Sequence, residues 1–492
     1  MISRKFLLIL TFFISFFLSF YFDFELNGFT FLFFSSLLVE EVRREEVNLF
    51  VLGGFSFVIG FICVVWMFFI VNYVGLILGV FAVLLSTFIL GIFFFLIFLP
   101  LVYLNRFKGG WEKIFFSVFY SFYFALWNYL FFIMDDLGLS FLQFFYTVSG
   151  VYLFYPVFSL NPFLVNFLIA FLSLVLDYKK WVIWLVLVFL NFAFKLYYWE
   201  LANKEMDNLI DKLEKQEISL YFISAKAFSD FKDYRIRNED LTFYKLSIAF
   251  ALSLGDKKSV FFLPEGSLSK NEKYIFYPSN PNYSPAIRNL AKFKDYLSKE
   301  MLDEFELSEL KKENGFKYIF FNPTSVDYLN KRIYNSVVLL NLGEVFEGKI
   351  ENYQVYDKIF LVPFTERVPS FFKEIAKFLS KWIIIFRYLE YSSGEDREKL
   401  FYIDEISFKP LICFESFKYV GLKEKGDFIV VSSNDSWFIN NPMLYLHMKS
   451  VKILSVNKGK VTVFLVNGYE NKIFIFMDFT KERKNMKNIV VF

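Results

Sequence analysis

The chain has 492 residues, of which 56% are hydrophobic and 74 are phenylalanine, with a formal net charge of only +3. That balance excludes an ordinary soluble enzyme and lacks the basic surplus of a nucleic-acid binder. Two cysteines and one histidine exclude a disulfide framework and a Cys/His zinc site. Charges are sparse up to about residue 199 and dense beyond it, which divides the chain into a membrane half and a water-soluble half.

A bilayer crossing needs about 20 apolar residues. On that scale the sequence predicts seven spans, at 6–22, 24–39, 48–72, 74–104, 114–134, 150–176 and 180–199. Segment 24–39 is short, and 74–104 must tilt or overhang. Gly138, Gln143 and Ser149 make 137–149 an outer loop or half-helix. Phe20-Tyr21-Phe22 is no small-residue cleavage site, so the first span reads as a retained anchor. Arg4, Lys5, Arg43, Arg44, Arg106, Lys108, Lys113, Lys179 and Lys180 fall in one set of ends and loops. The alternate loops carry Asp23, Glu25, Asn72, Asp135 and Asp136. Basic loops stay in the cytoplasm, so an odd number of spans puts the soluble half on the outer side.

Residues 200–218 carry Met206, Leu209, Ile210 and Leu213 at helical spacing and predict a stalk. Beyond it, apolar runs predict strands at 219–224, 259–263, 316–321, 334–342, 358–362, 408–413, 427–432, 461–466 and 472–477. Helices are expected at 238–254, 285–298, 300–314, 368–388 and 442–458. The alternation predicts a layered α/β domain. The interval 266–315 is long enough to hold active-site loops. Segment 368–388 reads as a core helix, or alternatively as one that dips into lipid.

Three residues at strand ends carry chemistry: Glu265 after Leu263-Pro264, Lys358 before Ile359-Phe360-Leu361, and Cys413 after Pro410-Leu411-Ile412. Each has a plain structural reading alone: a cap or surface charge, a solvated lysine, a small buried thiol. Together behind a multi-span region, a thiol, a carboxylate and an ammonium suit acyl transfer. His447, the single histidine, reads as a helix-face residue.

These motifs resemble the apolipoprotein N-acyltransferase family, the membrane branch of the nitrilase (carbon-nitrogen hydrolase) superfamily. Phe262-Leu263-Pro264-Glu265 is similar to the family's Trp-Pro-Glu segment. Lys358 through Leu361-Val362-Pro363-Phe364-Thr365-Glu366 is similar to its Lys…Leu-Val-Pro-Phe-Gly-Glu segment. Ile412-Cys413-Phe414-Glu415 resembles its Ile-Cys-Tyr-Glu turn, and Asn434-Asp435-Ser436-Trp437-Phe438 its Asn-Asp-Ala-Trp-Phe loop. The resemblance implies a multi-span α-helical membrane domain followed by an α/β nitrilase-like domain, an α-β-β-α sandwich. The charge shift and the helical spacing of the stalk place the boundaries at 1–199 for the membrane domain, 200–218 for the stalk and 219–492 for the catalytic domain.

The resemblance further implies Cys413 as nucleophile, Glu265 as general base and acid, and Lys358 as electrostatic stabiliser. Glu366, Phe414 and Glu415 are implied as support. Asn434 and Trp437 are implied at the substrate, with a strand-end turn and packed indole as their structural alternative. The implied partners are a phospholipid acyl donor, a diacylglyceryl apolipoprotein acceptor and membrane lipids, with no cofactor, no metal and no nucleic acid. The implied form is a monomer in a bacterial inner membrane with its catalytic domain periplasmic. Moving a proton from a thiol near pKa 8.5 to a carboxylate near 4.3 is uphill by about 6 kcal/mol. Lys358 and burial of Glu265 are expected to close that gap.

The chain departs from the family in four places. Phe414 stands where the family has Tyr, and Thr365 where it has Gly. An Arg-Ala…Glu pattern is degraded around Lys449 and Lys452, and the family's final span is expected to lack a counterpart before Phe492. A membrane-tethered amidase and a non-catalytic lipid-binding scaffold are the alternative readings. The retained Glu265, Lys358 and Cys413 weigh against the scaffold.

Overall fold

The computed structural model describes residues 4–23, 25–44, 48–70, 76–107, 110–133, 142–176, 180–222, 258–265, 274–276, 317–322, 324–327, 332–341, 353–363, 366–368, 373–374, 391–419, 425–435, 442–466, 471–478, 485–486 and 489–491. The chain forms two compact units. One is Met1–Glu200 with Asn440–Asn457; the other is Leu201–Ile439 with Lys458–Phe492.

The first unit is helical. It holds α1 (Arg4–Tyr21), α2 (Glu25–Arg44), α3 (Leu49–Val64), α4 (Leu76–Phe98), α5 (Gly110–Ile133), α6 (Tyr155–Leu160), α7 (Pro162–Val175) and the start of α8 (Trp181–Lys215). Among the described residues four stretches are long and apolar enough to cross a membrane: Leu49–Phe68, Gly79–Leu104, Gly110–Ile133 and Trp181–Lys215. Lys5–Tyr21 and Pro162–Val175 are shorter apolar helices. Their outer faces are greasy; Trp111, Phe115, Phe122 and Phe189 are exposed, as lipid contact requires and water would not tolerate.

The expected span 150–176 is not one helix. Asn161 is extended, and its side chain accepts from the Phe163 N–H, starting α7 afresh at Pro162. The expected stalk is also not separate, because α8 runs unbroken through it. Segment 144–148 is a fully buried 3-10 turn. Gln143 donates to the Asn128 carbonyl (2.8 Å) and accepts from Asn166 (3.2 Å). Asn128 Oδ1 accepts from the Phe144 N–H. The Asn128 side chain thus satisfies one N–H of this irregular segment, and Gln143 and Asn166 bond in turn to Asn128 and to each other, as buried non-helical chain requires.

The second unit stacks two sheets. The first is ordered β14-β15-β1-β2-β4-β6-β5-β3, with β7 also paired to β6. Its strands are β1 (Ile218–Phe222), β2 (Lys258–Phe262), β3 (Tyr274–Phe276), β4 (Lys317–Phe321), β5 (Thr324–Asp327), β6 (Arg332–Asn341), β7 (Tyr353–Asp357), β14 (Asn485–Met486) and β15 (Ile489–Val491). The second sheet is ordered β13-β12-β11-β10-β9-β8. Its strands are β8 (Phe401–Ile403), β9 (Ile406–Ile412), β10 (Phe428–Ser433), β11 (Val461–Val466), β12 (Lys472–Ile475) and β13 (Met477–Asp478). Alternate phenylalanines lock the sheets face to face: the Phe262 ring lies 5.5 Å from Phe408, and Phe320 lies 5.9 Å from Phe408 and 6.1 Å from Phe401. The expected order, apolar helices and then an α/β domain, holds.

Short helix α9 (Glu415–Lys418) follows β9, and α10 (Pro442–Lys458) follows β10. Through Asn457, α10 packs with the first unit, which the linear division at 199 and 219 does not capture. There Lys452 pairs with Asp23 at 2.6 Å, and Lys449 donates to the carbonyls of Ser19, Phe20 and Tyr146. His447 is buried on α10.

The strand expected at 358–362 is corrected. β7 ends at Asp357: the Lys358 N–H still reaches β6 at the Asn335 carbonyl, but those of Ile359, Phe360 and Val362 bond the carboxylates of Glu415 and Glu366. The helices expected at 238–254, 285–298 and 300–314 lie outside the described residues, as does nearly all of 368–388.

Candidate active site

The site is assembled from strand ends of the second unit. Parallel β2 ends just before Glu265, parallel β9 just before Cys413, parallel β10 just before Asn434, and β7 just before Lys358. Carboxyl ends of parallel strands are where open α/β sheets present their chemistry.

Cys413 sits in a strand-to-helix turn with φ at +48°, a left-handed conformation that side chains resist. Its N–H bonds the Ser432 carbonyl (2.8 Å), and its carbonyl accepts from Ser416 (3.2 Å) as α9 begins. The strain fixes the direction of the half-buried thiol.

Glu415 ties this turn to the lysine loop. Its Oε2 accepts from the Ile412 N–H (2.8 Å), beside Cys413. Its Oε1 accepts from the Ile359 N–H (2.8 Å), the Phe360 N–H (3.3 Å) and the Tyr356 hydroxyl (2.8 Å). One buried carboxylate thus holds the neighbours of both Cys413 and Lys358.

Lys358 is 1% exposed and lies 2.9 Å from the Glu366 carboxylate. Glu366 also accepts from the Val362 N–H (2.8 Å) while its own N–H bonds the Val362 carbonyl (2.9 Å), closing the loop on itself. Glu265 accepts from the Asn434 N–H (3.0 Å) and from Asn335 Nδ2 (3.1 Å). The same Asn335 nitrogen donates to Glu366 (2.7 Å).

Asn335, in the middle of β6, is the residue that the sequence did not disclose. It bridges two carboxylates through one side-chain amide, and its backbone carbonyl accepts the Lys358 backbone N–H (2.8 Å). An asparagine facing inward within an apolar strand run is the one signal that would have found it.

The structure therefore gathers Glu265, Lys358, Cys413, Glu366, Glu415 and Asn434. Phe414 joins them in the turn, its ring 5.9 Å from Phe417. Trp437 lies outside the described residues.

Burial sets the protonation states. It raises Glu265, helped by Glu366 and opposed by Lys358 and the two N–H donors, and the carboxyl ends above its ordinary range. Burial alone would lower Lys358, but Glu366, Cys413 and Glu265 outweigh it and hold the ammonium firmly. Burial pushes the Cys413 thiol up, and Lys358 only partly offsets that. The rise of Glu265 narrows the gap between acid and base, but the rise of the Cys413 thiol widens it, so the expected help from Lys358 is outweighed by burial. Among the described residues no group of three or more His, Cys, Asp or Glu side chains is placed to hold a metal ion.

A curated protein of Aquifex aeolicus, named apolipoprotein N-acyltransferase, is 33% identical over 135 residues, 27% of this chain and 28% of the relative. One of Borreliella burgdorferi with the same name is 30% identical over 167 residues, 33% of this chain and 30% of the relative. The chain is similar in sequence to apolipoprotein N-acyltransferases. The resemblance drawn from its motifs is thereby borne out. A Haemophilus influenzae relative of that name is 24% identical over 48% of each chain. The chain spans less than a third of the length of the first two relatives and about half of the third.

No family model matches the chain. Among solved structures, a nitrilase-superfamily protein of Saccharomyces cerevisiae aligns with 13% identity and a TM-score of 0.27, over 48% of this chain and 75% of its own. An amidase from Nesterenkonia aligns with 11% identity and a TM-score of 0.28, over 53% and 82%. Those scores carry no argument, and the fold rests on its own sheet topology.

Proposed function

We propose that the chain is an acyltransferase of the bacterial inner membrane that N-acylates lipoproteins. The observation that carries this reading is the thiol of Cys413 grouped with a buried ammonium and a carboxylate of raised basicity. In the first half-reaction Cys413 Sγ attacks the acyl ester carbonyl of a phospholipid. Glu265 takes the thiol proton and returns it to the departing lysophospholipid oxygen, leaving a thioester. In the second, the α-amine of a diacylglyceryl apolipoprotein attacks the thioester, Glu265 receives its proton, and the amide forms as Cys413 is restored.

Lys358 faces the charge of the sulfur and, with a backbone N–H near Phe414, suits the developing oxyanion. Glu366 keeps Lys358 in place, and Glu415 keeps the turn in place. Asn434 and Trp437 are assigned to the substrate side. The basic loops of the first half support a cytoplasmic side there and a periplasmic catalytic half.

The test uses the purified full chain with phospholipid vesicles and a diacylglyceryl lipopeptide. Intact mass should show an acyl adduct on the chain, released by neutral hydroxylamine and discharged by the lipopeptide. Cys413→Ala should lose both the adduct and turnover. Turnover in that variant, or an adduct that water discharges as fast as the lipopeptide does, overturns the reading.

A further inference from the structure

Lys409 lies on β9, four positions before Cys413, and its side chain is fully buried. A buried ammonium costs several kcal/mol unless it is compensated. Here it donates to the carbonyls of Arg397 and Lys399, the latter at 3.2 Å. Its Nζ also stands over two aromatic faces, 4.9 Å from the Tyr356 ring centre and 5.1 Å from that of Tyr419.

Those two rings are the ones beside Glu415. The Tyr356 hydroxyl donates to Glu415 Oε1 (2.8 Å) and lies 3.1 Å from the Tyr419 hydroxyl. Tyr419 also reaches the Arg397 carbonyl that Lys409 holds (3.4 Å). Tyr356, Tyr419 and Glu415 are all essentially buried. A cation over a phenol ring draws electron density from it and makes the hydroxyl a stronger donor.

We propose that Lys409 is a positioning residue: through the rings of Tyr356 and Tyr419 it fixes Glu415, and so fixes the backbone beside Cys413 and beside Lys358. Glu415 is the single acceptor for Ile412, next to Cys413, and for Ile359, next to Lys358. Lys409 therefore sets the separation of thiol and ammonium without touching either. This rests on the acyl-transfer reading of the site, and goes beyond it in naming what holds the Cys413 turn and the Lys358 loop against one carboxylate.

The experiment compares Lys409→Met, Lys409→Arg, Tyr356→Phe and the Lys409→Met/Tyr356→Phe double variant in the full chain. Three quantities are read: kcat and KM for acyl transfer, the rate of Cys413 alkylation by iodoacetamide measured by peptide mass, and melting temperature. Misplacing reacting groups by about 1 Å costs on the order of 100-fold. Lys409→Met should lower kcat and alkylation by about 10- to 100-fold with KM unchanged, and Lys409→Arg should recover most of both. Tyr356→Phe removes one hydroxyl and keeps the ring, so it remains informative where Lys409→Met fails to fold. It should slow alkylation too, and the double variant should be no slower than the slower single.

Wild-type alkylation in Tyr356→Phe, losses that multiply in the double variant, or a lower melting temperature with unchanged kcat and alkylation would each overturn the role. Alkylation needs no acyl donor. A wild-type chain that transfers no acyl group would therefore end the acyl-transfer reading while the alkylation series still decides the role of Lys409.

Discussion

Cys413 keeps its proton at rest, because burial raises its thiol more than Lys358 lowers it. Its reactivity must then follow Glu265, whose carboxyl burial has raised. A raised acid is protonated to a higher pH than usual, so the active carboxylate form appears only above the ordinary value of about 4.3. Alkylation of Cys413 should rise with pH through a limb above that value. Glu265→Gln should lack the limb and alkylate about 100-fold slower at pH 7, recovering only in alkali as the thiol ionises unaided. A wild-type limb at or below the ordinary value would contradict the base role. Asn335→Leu leaves two carboxylates without their shared donor, each such bond being worth about 1.5–3 kcal/mol. Its expected signature is a fall in kcat of about 100-fold with little change in KM, since the residue lies behind the carboxylates. An unchanged kcat would reduce Asn335 to a packing role.

The loop Lys358–Val362 holds its shape by borrowing acceptors from two glutamates, and it is braced from behind by the 391–395 segment. Gly394 donates to the Lys358 carbonyl (2.9 Å), and a Cβ there would lie 2.3 Å from the Asp357 carbonyl oxygen. Backbone cannot yield as a flexible side chain would, so Gly394→Ala must push the end of β7 and carry Lys358 with it. Acyl transfer should fall by at least about 10-fold, with the helical unit unaffected; a fully active Gly394→Ala would show the loop to be adjustable. The same loop marks a limit of the sequence. Apolar residues 359–362 have the composition of a strand, but the N–H groups of Phe360 and Val362 are spent on Glu415 and Glu366, partners 55 residues and 4 residues away. Local pattern carries the first kind of information and not the second. Where the ladder does satisfy the backbone, as in β11 (Val461–Val466), the apolar run and the strand coincide.

Across the whole chain, hydropathy located the helical half because lipid demands long apolar runs, and the motifs named Glu265, Lys358, Glu366, Cys413, Glu415 and Asn434, which the strand ends bring near one another. Asn161 broke one expected span through a cap, which hydropathy averages away. Asn335, Tyr356 and Lys409 were illegible for another reason: each acts on a partner brought near only by sheet pairing. Pairing between distant residues also holds the helical unit, where Lys452 on α10 reaches Asp23 after α1. Asp23→Asn would strand that lysine, a loss of about 3–5 kcal/mol. It should lower the detergent-solution melting temperature far more than Asp23→Glu does, and equal melting would show the pair to be idle. The charge asymmetry of the loops makes the last prediction. In a chain with Cys63→Ala and Cys413→Ala, a single cysteine at Asp135 should react with a membrane-impermeant maleimide added to intact spheroplasts. One at Lys108 should react only after lysis, because basic loops are retained on the cytoplasmic side. With three expected spans after Lys108 before the soluble half begins, that result carries the thiol to the outer leaflet. The reverse pattern would leave Cys413 in the cytoplasm, away from exported lipoproteins, and the acyl acceptor would have to be sought elsewhere.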